Sequence, residues 1–157
     1  MRVHVCAVGR LGPRSEERAL TDDYMARFDR TARPLGLGPL REHEVEDRRG
    51  GGRAAEAALL ARAVPAGALI VALDERGRTL SSPDLAARLA GWRDGGRADA
   101  AFLIGGADGL DPALREGADF ALSFGPMVWP HMLVRVMLAE QLYRAAAILA
   151  GTPYHRA

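Results

Sequence analysis

The sequence contains no lysine: all 21 of its basic residues are arginine. Against 20 acidic residues they leave a formal net charge of +1. A chain with so small a net charge lacks the general basic surface of a protein that binds nucleic acid through charge alone. Any contact with phosphate must therefore come from arginines that the fold brings together, and the planar guanidinium suits that contact because it can donate two hydrogen bonds to one phosphate.

Cysteine and long apolar runs are also scarce. The single cysteine, Cys6, excludes a disulfide framework and a cysteine zinc cluster, and it fits a reducing compartment. No apolar run reaches the about 18 residues of a membrane span, and the first ten residues do not read as a signal peptide. The histidines have no metal-ligand spacing. We therefore expect a cytoplasmic protein without membrane contact and without a metal.

Apolar segments of strand length alternate with helical segments along the whole chain. Strands are predicted at 2–8, 40–46, 68–73, 100–104 and 120–124, and helices at 15–32, 54–64, 84–95, 113–118 and 131–150. The strand at 40–46 is polar and is expected near an edge of the sheet. This alternation predicts an α/β fold with a mostly parallel sheet flanked by helices, in a single domain of residues 1–157.

Three of the predicted strands are followed by unusual loops, and ligands of open α/β sheets bind beyond the carboxyl ends of the strands. The loops are "LDERG", "GGADG" and "GPMVWPH". Glycines in the second loop allow close approach of a ligand, but the loop is neither a dinucleotide fingerprint nor a phosphate loop. Prolines stiffen the third loop around apolar residues, which suits an adenine or thioether-like ligand. A tight turn and simple core packing remain alternatives for the two.

The C-terminal segment combines an apolar helix with a polar ending. Apolar residues cover most of the circumference of the helix at 131–150, so we expect it to be buried, in part by a second chain. The ending "PYHR" supplies a stacking ring, a titratable imidazole and a guanidinium, although a frayed chain end is the simpler interpretation. Glu140 and Arg144 are four residues apart, and the default interpretation is a solvated ion pair.

Taken in order, these segments resemble a known family. The segments "VHVCAVGR", "LIVALDERG", "LIGGADGL", "ALSFGPMVWPHMLVRVMLAEQLYRA" and "PYHR" cover essentially the whole chain. The sequence resembles the ribosomal large-subunit pseudouridine N3-methyltransferase family, of the SPOUT class. The resemblance implies a C-terminal trefoil knot, a homodimer and S-adenosylmethionine as methyl donor. It implies that the acceptor is N3 of a pseudouridine in a stem-loop of 23S ribosomal RNA, with assembled ribosomes as the expected substrate.

The resemblance also implies roles for particular residues. Cofactor contacts fall on Leu73, Gly105, Phe124, Gly125, Pro126, Met127, Val128 and Trp129. The catalytic candidates are His155 for proton handling, Tyr154 for stacking on the base and Arg144 for a phosphate or a developing anion. Arg156 is the candidate for RNA binding. Ala107 and Val128 depart from residues that are common in the family, and the departure at Val128 removes a hydroxyl near the cofactor.

Two other functions remain as alternatives at this point. A non-catalytic ribosome-binding or assembly factor could use the same scaffold, although the "IGG" segment is intact. A flavodoxin-like protein that binds a small molecule would also have an α/β fold. Calorimetric titration with S-adenosylmethionine tests the first alternative, and a flavodoxin-like protein would be coloured and would not depend on RNA.

Overall fold

The protein is an α/β sandwich built on a five-stranded sheet; the computed structural model describes residues 1–156. The strands are β1 (Arg2–Val8), β2 (Leu40–Val45), β3 (Leu69–Thr79), β4 (Asp99–Ile104) and β5 (Phe120–Ser123). The helices are α1 (Glu16–Ala32), α2 (Gly52–Ala63), α3 (Ser82–Asp94), α4 (Pro112–Glu116) and α5 (His131–Leu149), with a 3₁₀ turn at Arg33–Leu35. The predicted alternation of strands and helices is confirmed.

The strand order of the sheet is β2-β1-β4-β3-β5, and every neighbouring pair is parallel. The polar strand β2 lies at an edge, as its sequence predicted. A flavodoxin-like sheet has the order 2-1-3-4-5. The exchange of β3 and β4 in this sheet therefore rules out the flavodoxin-like alternative. The trefoil knot that the family resemblance implies stays a prediction.

The central strands β1 and β4 are buried on both of their faces, because helices cover the two sides of the sheet. Along β1, Val3 and Val5 pack with α1, α3 and α5, whereas Cys6 and Val8 pack with α2. A parallel sheet that is buried on both faces needs nearly continuous apolar strands. This requirement explains why β1 and β4 have so little alternation of polar and apolar residues.

Strand β3 extends six residues beyond its predicted end at position 73. The charged segment "DERG" forms an irregularity in the strand, and both Leu73 and Arg78 pair with Leu122 of β5. Gly77 allows this close pairing, since a Cβ there would lie 2.7 Å from the carbonyl carbon of Ala121. The polar composition of the segment predicted a free loop, and the pairing with β5 overrides that local preference.

Helix α3 begins two residues before its predicted start at position 84. The Ser81 side chain caps the helix by accepting a hydrogen bond from the N–H of Asp84 at 3.2 Å. The hydroxyl of Ser82 is therefore available to donate to Gln141 of α5 at 2.7 Å. This contact ties the first turn of α3 to the middle of α5.

A buried arginine connects α5 to the carboxyl ends of β1 and β2. Arg135 is only 1% exposed, and its guanidinium donates to Glu42 and Glu44 of β2 and to the carbonyl oxygen of Gly9. Arg18 of α1 pairs with the same two carboxylates. Sequence analysis did not single out Arg135, because one arginine in an apolar helix gives no sign of which strands it will face.

The pKa of Glu44 follows from this network. Burial opposes ionisation of the carboxyl group, but the N–H of Leu11 and the guanidinium of Arg135 outweigh burial and lower the pKa. The carboxylate therefore stabilises the fold above the pKa of a free glutamate, and this contribution is lost as the pH falls through the lowered value.

Within residues 1–156, no helix is long and apolar enough to cross a membrane. The described residues also contain no group of three or more histidine, cysteine, aspartate or glutamate side chains that could hold a metal ion.

We predict that Arg135→Met lowers the free energy of unfolding by about 3–5 kcal/mol, because it leaves two largely buried carboxylates short of a partner. Urea denaturation followed by circular dichroism measures the change. The matched variant Arg48→Met breaks an exposed contact with Glu46 and should cost less than about 1 kcal/mol. Equal losses in the two variants would contradict the structural role of Arg135.

Candidate functional site

A cavity of about 400 Å³ lies at the carboxyl ends of the three neighbouring strands β4, β3 and β5. Its walls are the irregular segment within β3 and the segments around the ends of β4 and β5. They include Leu73, Asp74, Glu75, Arg76, Gly106, Ala107, Asp108, Gly109, Leu110, Leu122, Phe124, Gly125, Met127, Val128 and Trp129. Arg53, Pro112, Arg115 and Val134 complete the lining. The volume lies within the range of small-molecule sites. The structure thus brings together the three loops that sequence analysis singled out.

Six of the eight predicted cofactor residues line this cavity, and Gly105 and Pro126 are the two that do not. Gly105 is buried beneath the cavity, and a Cβ there would lie 2.4 Å from the carbonyl carbon of Gly109. The loop closes on itself through a hydrogen bond of 3.0 Å from the N–H of Gly109 to the carbonyl oxygen of Gly106. The role of Gly105 is therefore to let the loop fold tightly, while its neighbour Gly106 forms the surface.

The loop after β5 is shaped by Ser123, a residue that sequence analysis missed. Its hydroxyl lies 3.0 Å from the carbonyl oxygen of Glu75 and accepts a hydrogen bond of 3.0 Å from the N–H of Gly125. Gly125 has a φ of 105°, which disfavours any residue with a side chain. Ser123 thus joins the irregular segment within β3 to the loop after β5, and a serine two residues before a Gly-Pro pair is the sequence signal that could have identified it.

Charged groups line one part of the cavity. The side chain of Asp74 is only 10% exposed and lies 3.8 Å from the guanidinium of Arg115 and 3.7 Å from that of Arg76. Arg53 is also part of the lining. Apolar side chains, among them Leu73 and Trp129, contribute further surfaces. A ligand that combines an aromatic ring with charged groups would find partners for both in this lining.

The C-terminal tail (residues 151–156) packs on α5, where the ring of Tyr154 lies beside Tyr143 and Tyr143 lies beside Tyr24 of α1. None of the tail residues is part of the cavity lining. The hydroxyl of Tyr154 donates to Glu140 at 2.9 Å, and Arg144 donates to the same carboxylate through Nε at 3.0 Å. The ring centroids of Tyr154 and Tyr143 are 4.5 Å apart, and the guanidinium of Arg144 lies over the Tyr154 ring at 4.7 Å. Three predicted catalytic residues, Arg144, Tyr154 and His155, are therefore brought together, while Arg156 is exposed.

This arrangement corrects the interpretation of Glu140 and Arg144 as a solvated ion pair. The side chain of Glu140 is 17% exposed and that of Arg144 is 26% exposed. Both contact Tyr154 and so hold the tail against α5. Burial and the hydrogen bond to Glu140 raise the pKa of Tyr154, so its phenol stays protonated at neutral pH. Sequence spacing predicted the pair itself, but the contact with Tyr154 depends on how the chain turns after α5.

A second, more apolar cavity of about 520 Å³ lies between α1, α3 and α5. Leu20, Leu85 and Met137 line it, and it shares Leu122, Phe124 and Gly125 with the first cavity. Leu20 is 47% exposed, and Leu133, one helical turn before Met137 on α5, is 41% exposed. An apolar hollow with exposed leucines at its rim is typical of a surface that another chain covers.

Comparisons with known proteins consistently find methyltransferases. A family model described as "Predicted SPOUT methyltransferase" matches residues 1–155. A protein of Dinoroseobacter shibae named "Ribosomal RNA large subunit methyltransferase H" is 72% identical over 99% of both chains, and one of the same name from Ruegeria pomeroyi is 68% identical over 99% of both.

Two solved structures share the fold at low sequence identity. A probable methylase family protein of Haemophilus influenzae is 12% identical with a TM-score of 0.52, over 99% of this chain and 70% of the other. A probable methyltransferase of Bordetella pertussis is 18% identical with a TM-score of 0.52, over 92% of this chain and 96% of the other.

We predict that Gly105→Val abolishes the binding of S-adenosylmethionine, the cofactor that the family resemblance implies, because the new side chain collides with the backbone of the 105–110 loop. Calorimetric titration measures the affinity, and far-UV circular dichroism checks that the fold is retained. Gly91→Val is the matched control, since a Cβ at position 91 meets no atom within 4 Å. Unchanged affinity in Gly105→Val would refute this placement of the cofactor.

Proposed function

The chain belongs to the SPOUT methyltransferase family, and on this premise we propose that it methylates large-subunit ribosomal RNA, at N3 of a pseudouridine in 23S RNA. The observation that carries the proposal is the cavity at the ends of β4, β3 and β5, which is lined by the segments that the family resemblance assigns to the cofactor. Relatives that match 99% of the chain bear the name of a ribosomal RNA methyltransferase.

The lining residues fit S-adenosylmethionine, which would supply an electrophilic methyl group on a positively charged sulfur. Leu73, Phe124 and Trp129 offer apolar surfaces for the adenine ring. The carboxylate of Asp74 and the guanidinium of Arg53 would face the amino and carboxylate groups of the methionine part. Val128 is 85% exposed, so the hydroxyl that is missing there costs no buried contact within this chain.

The tail would act on the RNA. Tyr154 offers a ring for stacking, and Arg156 is exposed and can bind a phosphate. Arg144 and His155 lie beside Tyr154 and would meet the base that receives the methyl group. These roles need the tail and the cofactor cavity at one site, although the tail residues of a chain do not line the cavity of the same chain.

A homodimer would bring the tail of one chain to the cofactor cavity of the other. The apolar cavity between α1, α3 and α5 shares Leu122, Phe124 and Gly125 with the cofactor cavity. A second copy seated on this surface would cover Leu20 and Leu133 and bring its own tail towards the cofactor. The functional unit we propose is therefore a dimer that acts in the cytoplasm, where ribosomes are present.

The alternative of a non-catalytic ribosome-binding factor has less support. Such a factor has no need for a tightly folded glycine loop beneath a ligand cavity, yet Gly105 and Gly106 are both present and packed as a binding loop requires. The relatives from Dinoroseobacter shibae and Ruegeria pomeroyi also carry the name of an enzyme.

We expect transfer of labelled methyl from S-adenosylmethionine to ribosomal RNA, with the label at one pseudouridine by nucleoside mass spectrometry. Free large subunits, assembled ribosomes and subunits with uridine at that position are the three substrates to compare, and assembled ribosomes are expected to react fastest. Gly105→Val serves as the inactive control. Cofactor binding without any methyl transfer would favour the non-catalytic factor and overturn the proposal.

We also expect the wild-type protein to sediment as a dimer at micromolar concentration. Leu133→Arg should give a folded monomer without methyl transfer, because a charge replaces a half-exposed leucine on the apolar surface. Ala58→Arg, on the exposed side of α2, is the control and should remain dimeric. Leu138 is unsuitable for this test because it is fully buried within its own chain. A stable wild-type monomer would refute the dimer.

A further inference from the structure

The carboxylate of Glu140 organises the C-terminal tail. Its Oε1 atom accepts hydrogen bonds from the hydroxyl of Tyr154 and from Arg144, and its Oε2 atom accepts from Gln141 at 2.8 Å. Gln141 in turn accepts from Ser82 of α3 at 2.7 Å. Glu140 therefore has partners on both oxygens, and the geometry of Arg144 is fixed from one side by this carboxylate.

The fixed guanidinium of Arg144 determines which ring nitrogen of His155 carries a proton. Nη1 of Arg144 lies 3.4 Å from Nδ1 of His155. An arginine side chain has only donors, so Nδ1 must be the acceptor in this contact. A neutral imidazole that accepts at Nδ1 carries its hydrogen on Nε2. In that tautomer Nε2 of His155 is an N–H donor, with no lone pair to receive a proton.

The other groups around the tail do not change this assignment. Tyr154 keeps its proton because burial and Glu140 raise its pKa. Tyr143 and Tyr24 pack beside it, with ring centroids 6.2 Å apart, and the guanidinium of Arg27 lies 5.9 Å from the centre of the Tyr143 ring. These neighbours supply donors and a positive charge, so they favour negative charge on a bound base and do not accept its proton.

We propose that Glu140 and Arg144 are positioning residues that hold His155 as a hydrogen-bond donor in methyl transfer, and that His155 is not the general base. The inference rests on the proposed function. A base role would need the opposite tautomer, with hydrogen on Nδ1, and that hydrogen would oppose the guanidinium of Arg144. His155 instead donates from Nε2 to a carbonyl oxygen beside N3 of the base and stabilises the negative charge that develops there.

The reaction balances without a protein base. The N3–H bond breaks and its proton passes to solvent water, and the electron pair left on N3 forms the bond to the methyl carbon. The bond between sulfur and that carbon breaks, and its electron pair stays on sulfur, which becomes a neutral thioether. Each transfer releases one proton to solvent. The protein contributes position and donors that stabilise the anion, in keeping with a site whose tail residues are donors.

Two substitutions of His155 separate a donor from a base. Glutamine places an amide N–H near the position of Nε2 and cannot titrate, whereas alanine removes the donor as well. We expect His155→Gln to keep the single-turnover rate within about 10-fold of wild type, and His155→Ala to lose about 10²–10³-fold, as expected for a lost donor to a developing anion. Both rates are measured on ribosomes with saturating cofactor, from about pH 5.5 to about pH 9, which spans the range where imidazoles ordinarily change charge.

The positioning role of Glu140 has its own readouts. We expect Glu140→Gln to slow methyl transfer about 10–10²-fold with no change in the affinity for S-adenosylmethionine, because the tail is not part of the cofactor cavity. The pKa of Tyr154, followed by tyrosinate absorbance, should fall in this variant. Nitrogen NMR of the imidazoles should show His155 with hydrogen on Nε2 in the wild type and lose that preference in Glu140→Gln. Glu16→Gln, an exposed change on α1, is the matched control.

The outcomes separate the inference from the function it rests on. If the wild type transfers no methyl group to ribosomal RNA, the proposed function fails. If transfer occurs but His155→Gln is as slow as His155→Ala, and the wild type alone loses activity at low pH, then His155 is a base and the inference is wrong. Hydrogen on Nδ1 of His155 in the wild type would overturn it as well.

Discussion

The buried contacts of Arg135 are the interaction on which the rest of the structure depends. A guanidinium with 1% exposure holds α5 against the carboxyl ends of β1 and β2 through two glutamates and a main-chain oxygen. Helix α5 begins directly after the loop that lines the cofactor cavity and ends at the tail. Its position therefore sets both halves of the proposed site. Burying an ion network costs desolvation free energy. In return, the helix has few alternative placements, because each buried charge must keep its partner.

The cavity at the ends of β4, β3 and β5 depends on close contact between segments of main chain. Gly105 lies against the backbone of Gly109, and Gly77 against that of Ala121, at distances that leave no room for a Cβ. Ser123 then joins the irregular segment within β3 to the loop after β5 by hydrogen bonds. A site whose segments are already held in place has less conformational entropy to lose when a ligand binds. The cavity can thus be formed by short segments of ordinary composition at three strand ends.

The tail shows a different principle, in which polar groups constrain one another. Glu140 binds Tyr154 and Arg144, and Arg144 in turn meets His155. The carboxylate of Glu140 accepts from both Tyr154 and Arg144, and the guanidinium held in this way also reaches Nδ1 of His155, which Glu140 does not touch. A protein with a net charge of +1 has little general attraction for RNA. Locally ordered donors are then a more effective means of recognition than overall charge.

The sequence by itself determined the strand and helix order, the polar edge strand β2 and the three loops of the cavity, because hydrophobic periodicity and glycine or proline punctuation are local properties. The identity of the family came from the order of motifs and not from any one of them. Only the tertiary structure decided which distant groups meet. Three contacts show this dependence: Arg135 with Glu44, Ser123 with Glu75, and Glu140 with Tyr154. Each contact depends on the order of the strands in the sheet or on where the chain turns. Local sequence cannot carry that information, because the energy of a buried polar group depends on the partner that the fold supplies.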